Sequence, residues 1–87
     1  MTNSKLKEAH KHCGDHREEI LQSRVVGCFY CLEIFNPDEI NVWIYEDEND
    51  VGQCAICPHC GIDSVIGDKS GFPITKEFLI EMNNYFF

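Results

Sequence analysis

Gly27-Cys28-Phe29-Tyr30-Cys31 and, further along, Cys57-Pro58-His59-Cys60-Gly61 decide how this chain folds. Each stretch holds two cysteines separated by two residues, and 25 residues lie between the pairs. A C-x2-C turn can aim both of its sulfurs at one tetrahedral ion, about 2.3 Å away if the ion is zinc. In the second turn Pro58 holds the backbone, and Gly61 tolerates the conformation that points backbone N–H groups at the sulfurs. Those hydrogen bonds spread the thiolate charge and fix the ligand direction. The thiolates of Cys28, Cys31, Cys57 and Cys60 are therefore expected to bind one structural metal ion. The competing reading is four reduced cysteines that only fill a core. Zinc is the expected ion, with iron the less favoured alternative.

A chain of 87 residues makes one domain. At this size folding buries only about 60% of the unfolded surface, so a staple is expected to supplement the core. Six cysteines could supply it as disulfides or as a metal site. Met1–Glu8 is polar, with no apolar run of a secretory leader after it, and no stretch approaches the roughly 20 apolar residues of a membrane span. These features point to a cytoplasmic protein, where thiols stay reduced and paired C-x2-C motifs are more often metal sites.

The remaining cysteines and the histidines need separate weighing. Cys54-Ala55-Ile56-Cys57 is itself a C-x2-C unit, but a site built on it would abandon Cys60 and the proline–glycine turn. Cys54 is expected to be a small buried residue, as is Cys13 on the apolar stripe of an N-terminal helix. His12 and His16 lie one helical turn apart, and with His10 and Cys13 they raise the possibility of a second zinc site. The H-E-x-x-H pattern is missing, so the plainer expectation is partly exposed helix histidines. Catalytic residues are not expected. Asp63, Ser64, Asp68 and Ser70 read as turn-forming residues, and Glu46-Asp47-Glu48-Asn49-Asp50 lacks the spacing of a calcium loop.

The pattern outside the turns predicts an α+β domain. Leu6, Ala9, Cys13, Ile20 and Leu21 recur at helical spacing, with His16 on the same stripe, so Ser4–Ser23 reads as helix. Gly14 invites a bend there, and Asp15 with Glu18 resembles a capping box. Arg24–Gly27 reads as extended. Asn36, Pro37 and Glu39 carry the cap, first-turn and box signals of one helical turn. Val42–Tyr45 and Gln53–Ile56 read as a hairpin around an acidic tip, and Ser64–Ile66 as a third strand. Gly67–Pro73 reads as loop. Thr75 caps a final helix, Lys76 to about Tyr85, with Phe78, Leu79, Met82 and Phe86 as its apolar stripe. The expected domain thus has a helical segment at 1–24, a metal-binding ribbon at 25–67 and a C-terminal helix within 74–87.

Charge is lopsided within a formal net of −8. Residues 1–24 carry Lys5, Lys7, Lys11, Arg17 and Arg24, whereas residues 25–87 carry Lys69 and Lys76 against eleven acids. Four thiolates on a divalent ion would bring the total to about −10. A surface of this sign repels phosphate backbones. It either serves solubility alone or faces a basic protein partner, to which Phe29, Tyr30, Trp43, Tyr45, Phe86 and Phe87 add an aromatic component. Binding to nucleic acid through the basic residues of the first helix is the alternative reading, and a metal-dependent enzyme a distant third.

From Cys28 onward the chain resembles the zinc ribbons: two knuckles on a small antiparallel sheet. The second knuckle is also similar to that of rubredoxin-like iron sites, though Leu32 rather than glycine follows the first. Four stretches resemble, more narrowly, a family of small bacterial cytoplasmic proteins. They are His16-Arg17-Glu18-Glu19-Ile20, Gly27–Cys31, Cys57-Pro58-His59-Cys60-Gly61-Ile62-Asp63-Ser64-Val65-Ile66-Gly67 and Ser70-Gly71-Phe72-Pro73-Ile74-Thr75. The resemblance implies a zinc ribbon and a bacterial or phage cytoplasm, with no activity attached. Cys54 is an addition to the family pattern.

Overall fold

A computed structural model of the chain describes residues 2–13, 16–46 and 48–87, and of Cys13 only the backbone. Helix α1 (Asn3–His10) begins under Thr2, whose hydroxyl accepts the Lys5 N–H at 3.3 Å. A 3-10 turn at Lys11–Cys13 follows, and then helix α2 (Arg17–Gln22). The expected N-terminal helix is therefore present as separate pieces. The bend at Gly14 and the Asp15 cap lie outside the described residues.

Strands β1 (Val26–Cys28), β2 (Ile34–Phe35), β3 (Trp43–Glu46), β4 (Gly52–Ala55) and β5 (Val65–Gly67) come next, and helix α3 (Lys76–Phe86) closes the chain. The one-turn helix expected after Asn36 is a 3-10 turn at Pro37–Glu39, where Glu39 Oε2 accepts the Asn36 N–H at 2.9 Å. A further 3-10 turn, Asp68–Ser70, stands within the segment read as loop.

The three-stranded antiparallel sheet is made from different strands than expected. Its order is β2-β1-β5, with Val26 opposite Phe35 on one side and Gly67 on the other. Hairpin β3-β4 forms a separate two-stranded sheet. The reason lies in the first knuckle, which reverses the chain. Leu32 N–H donates to Cys28 O at 2.8 Å and Cys28 N–H to Glu33 O at 3.0 Å. Ile34 and Phe35 then return beside β1 and fill one of its edges, while β5 fills the other.

The hairpin's own edge is closed by the N-terminal segment. His16 N–H donates to Gln53 O at 2.8 Å, and Ala55 N–H donates to His16 Nε2 at 3.1 Å. One residue thus offers β4 the donor and acceptor of a strand partner. Arg17 Nη1 donates to Gly52 O at 2.9 Å, and its guanidinium lies 4.6 Å from the centre of the Trp43 ring.

Side-chain alternation along β1 and β5 divides the core in two. Val26, Cys28 and Val65 pack with Ile20, Phe35, Ile40, Ala55 and Cys57 on one side. Ile66 joins Leu6, Ala9, Phe29, Phe78, Leu79 and Met82 on the other. Gly27 is required by that second layer, since a Cβ there would stand 2.9 Å from Leu79 Cδ1. Helix α3 is capped as expected, with Phe78 N–H donating to the Thr75 hydroxyl at 3.2 Å. Phe78, Leu79 and Met82 are buried and Phe86 is half-buried. Each fully buried side chain of this kind stabilises the fold by about 1.5–3 kcal/mol. Among the described residues no helix is long and apolar enough to cross a membrane.

Candidate metal centre

The two knuckles are built from the same hydrogen bonds. In the first, Leu32 N–H closes on Cys28 O, and Tyr30 N–H points at Cys28 Sγ from 3.4 Å. In the second, Gly61 N–H closes on Cys57 O at 3.0 Å, and His59 N–H points at Cys57 Sγ from 3.4 Å. Cys57 N–H donates to Ile62 O at 2.8 Å, matching the bond from Cys28 to Glu33. Both turns end in a left-handed residue, Leu32 at φ 68° and Gly61 at φ 79°. Leu32 therefore adopts the backbone that glycine was expected to supply, and its presence does not distinguish zinc from iron.

Strand β1 and the turn after β4 bring the knuckles face to face. Cys28 Sγ lies 3.6 Å from Cys60 Sγ, and Cys31 Sγ 3.7 Å from Cys57 Sγ. All four sulfurs fall within 4.8 Å of one another. Sulfurs about 2.3 Å from a central zinc ion lie about 3.8 Å apart along a tetrahedron's edge, close to the 3.6 and 3.7 Å of the two pairs that face each other across the centre. A disulfide needs sulfurs about 2.05 Å apart, and Cys28, Cys31, Cys57 and Cys60 form none. The donor set and its spacing fit a four-thiolate metal ion.

Burial pushes the Cys28 thiol well above the usual thiol range, against the pull of the Cys31 and Tyr30 amides. A bound divalent ion reverses this preference by holding the sulfur as thiolate.

Among the described residues, no other set of at least three histidine, cysteine, aspartate or glutamate side chains is placed to share an ion. His16 Nδ1 donates to His12 O at 2.6 Å while Nε2 takes the Ala55 N–H, so both ring nitrogens serve the backbone. His12 Nδ1 lies 2.9 Å from Glu19 Oε1. The His10 ring packs 4.3 Å from that of Phe86. The Cys13 side chain lies outside the described residues. Among the described residues the three histidines are not placed to share a metal, and His16 is buried rather than partly exposed because it closes the β4 edge. Cys54 is buried at 2% exposure opposite Ile44, away from the four ligating sulfurs.

The polar residues after the second knuckle organise the backbone. Asp68 Oδ1 accepts the Arg24 N–H at 2.9 Å, and Ser70 Oγ donates to Gly67 O at 2.6 Å. Ser64 is buried, and its carbonyl accepts the Phe29 N–H at 3.0 Å. Glu46, Glu48, Asn49 and Asp50 are exposed on the hairpin.

Sequence reasoning missed the residues that support the first knuckle. Asn83 Nδ2 donates to Phe29 O at 3.0 Å and to Tyr30 O at 3.1 Å, and Lys76 Nζ donates to Leu32 O at 2.7 Å. These residues lie 44 to 54 positions from their acceptors. The only sequence signal was their position on the helix that carries the Phe78–Met82 stripe. No family model matches the sequence, and no curated protein or solved structure is significantly similar to it, so the reading of the centre rests on its own geometry.

Proposed function

We propose that this chain is a zinc-stapled binding module of the zinc-ribbon type, working in a bacterial or phage cytoplasm and offering an acidic surface to a basic protein segment. The spacing of the four sulfurs carries the metal part of this reading. A closed shell of four thiolates leaves no position for water or substrate, which favours a structural ion over a catalytic one. Zinc is preferred to iron because four-thiolate structural sites in small cytosolic proteins are more commonly zinc. The setting rests only on the resemblance of the four stretches between His16 and Thr75 to a family of small bacterial cytoplasmic proteins.

The partner reading rests on charge and exposure. Glu46, Glu48 and Asp50 stand on the hairpin beside Tyr45, at 68% exposure, and Val51. Tyr30 and Phe87 are exposed beside the first knuckle, with ring centres 5.0 Å apart. The nucleic-acid reading loses one of its five cations, because Arg17 is turned back onto Gly52 and Trp43.

Titration of the zinc-loaded protein with lysine- and arginine-rich peptides, followed through Trp43 fluorescence, tests the reading. Salt-sensitive binding of basic peptides is expected, with no binding of DNA or RNA at about 50 mM salt. Binding of nucleic acid without binding of basic peptides would overturn it.

A further inference from the structure

The two cysteines of each knuckle are not equivalent. Cys28 and Cys57 are buried at 0% and 1% exposure, and each sulfur faces a backbone N–H at 3.4 Å. Cys31 and Cys60 are only half-buried. Among the described residues no N–H reaches either of their sulfurs, whose polar neighbours are the facing sulfurs of the other knuckle. The flanking residues Tyr30, Pro58 and His59 are themselves exposed.

An N–H···S bond draws charge from a thiolate, and surrounding backbone blocks approach to it. Relieved of both, an outer sulfur is the better nucleophile and the more accessible one. We infer that Cys31 and Cys60 are the modification sites of the centre, where soft electrophiles and hydrogen peroxide attack first. The inference rests on the zinc reading given under Proposed function.

With an alkyl iodide, a C–S bond forms at the outer sulfur, the C–I bond breaks and iodide leaves with the electron pair. With peroxide, the Cys31 sulfur forms an S–O bond, the O–O bond breaks and hydroxide leaves. Cys57, 3.7 Å away across the centre, then displaces hydroxide from the oxidised sulfur and forms an S–S bond. Cys60 and Cys28, 3.6 Å apart, form the equivalent pair. Two thiolates lose two electrons in all, and one peroxide with two solvent protons becomes two waters. Zinc is released as the divalent ion with its oxidation state unchanged. Loss of two ligands releases the ion, and an S–S bond between the knuckles takes the place of the metal link, so peroxide removes the centre while tying the knuckles together covalently.

The test uses zinc-loaded protein, both unaltered and as Cys13→Ser, treated with less than one equivalent of iodoacetamide or hydrogen peroxide. Tandem mass spectrometry locates the modified sulfurs, and a chromophoric chelator follows zinc release. Alkylation of Cys31 and Cys60 is expected about tenfold or more ahead of Cys28, Cys57 and Cys54, with zinc release tracking it. Uniform labelling, or labelling of Cys28 and Cys57 first, on protein that holds zinc would overturn the inference alone. Protein that takes up no zinc would refute the reading beneath it, and the inference with it.

Discussion

In the first knuckle the left-handed residue is Leu32, and in the second it is Gly61, with nearly the same backbone angle. A side chain in that region costs about 1–2 kcal/mol, which glycine escapes. The first knuckle is also the one tied from outside. Helix α3 binds the carbonyls of Phe29, Tyr30 and Leu32 through Asn83 and Lys76, and Leu32 packs against the second core layer. The second knuckle has no such tether on its backbone among the described residues; its outside contacts are those of the His59 ring, 3.7 Å from Glu39 Oε1 and 5.3 Å from the Phe35 ring, and its backbone relies on Pro58 and Gly61. One turn is therefore written into its own five residues, whereas the other is held in shape by the rest of the fold.

Metal removal should erase this difference, because on the proposed reading both knuckles hold the same ion. Structural zinc contributes ~10 kcal/mol or more of apparent binding free energy, as much as the whole stability of a small domain. Chelation is expected to abolish the cooperative melt seen by circular dichroism; an unchanged melt would separate folding from metal. Acid acts in the same direction. The thiols must lose protons to bind the ion, and burial makes the Cys28 proton harder to remove. Zinc retention should therefore fall as pH falls, which a competing chromophoric chelator would follow.

Smaller changes probe the knuckles separately. Asn83→Ala leaves two carbonyls of the first knuckle without their donor, an expected loss of about 2 kcal/mol in the denaturant midpoint of the zinc form. Faster amide exchange should be confined to residues 28–33. Exchange that rises equally in residues 57–62 would break the comparison. Gly61→Ala is expected to cost about 1–2 kcal/mol, since it places a Cβ at positive φ. No neighbouring atom lies within 4 Å of that Cβ, so the cost is backbone strain and not a clash. Leu32→Gly should change stability by less than about 1 kcal/mol, because relief of strain is offset by lost packing and a freer unfolded chain. A large destabilisation there would mean that the Leu32 side chain, not its backbone, secures the turn.

The same contrast explains what the sequence discloses. The pairing of C-x2-C units, the Thr75 cap, the Phe78–Met82 stripe and the β3-β4 hairpin are local patterns, readable within a few residues. Strand β2 is only two residues long, too short for alternation to register. It exists because the first knuckle turns the chain back, so the expected sheet was assembled from the wrong neighbours. His16 illustrates the other difficulty. Its helical spacing from His12 suggested shared metal binding, yet its ring nitrogens bond His12 O and Ala55 N, the second 39 residues away. Pairings at that distance leave no periodic trace. The clustering of the four sulfurs was legible because metal geometry constrains such spacing directly.

Elemental mass spectrometry of the purified protein, beside Cys28→Ser and Cys60→Ser variants, tests the central claim most directly. The account predicts one zinc per chain, lost together with the folded circular-dichroism spectrum in both variants. A folded protein without metal, two metals per chain, or zinc retained in both variants would contradict it.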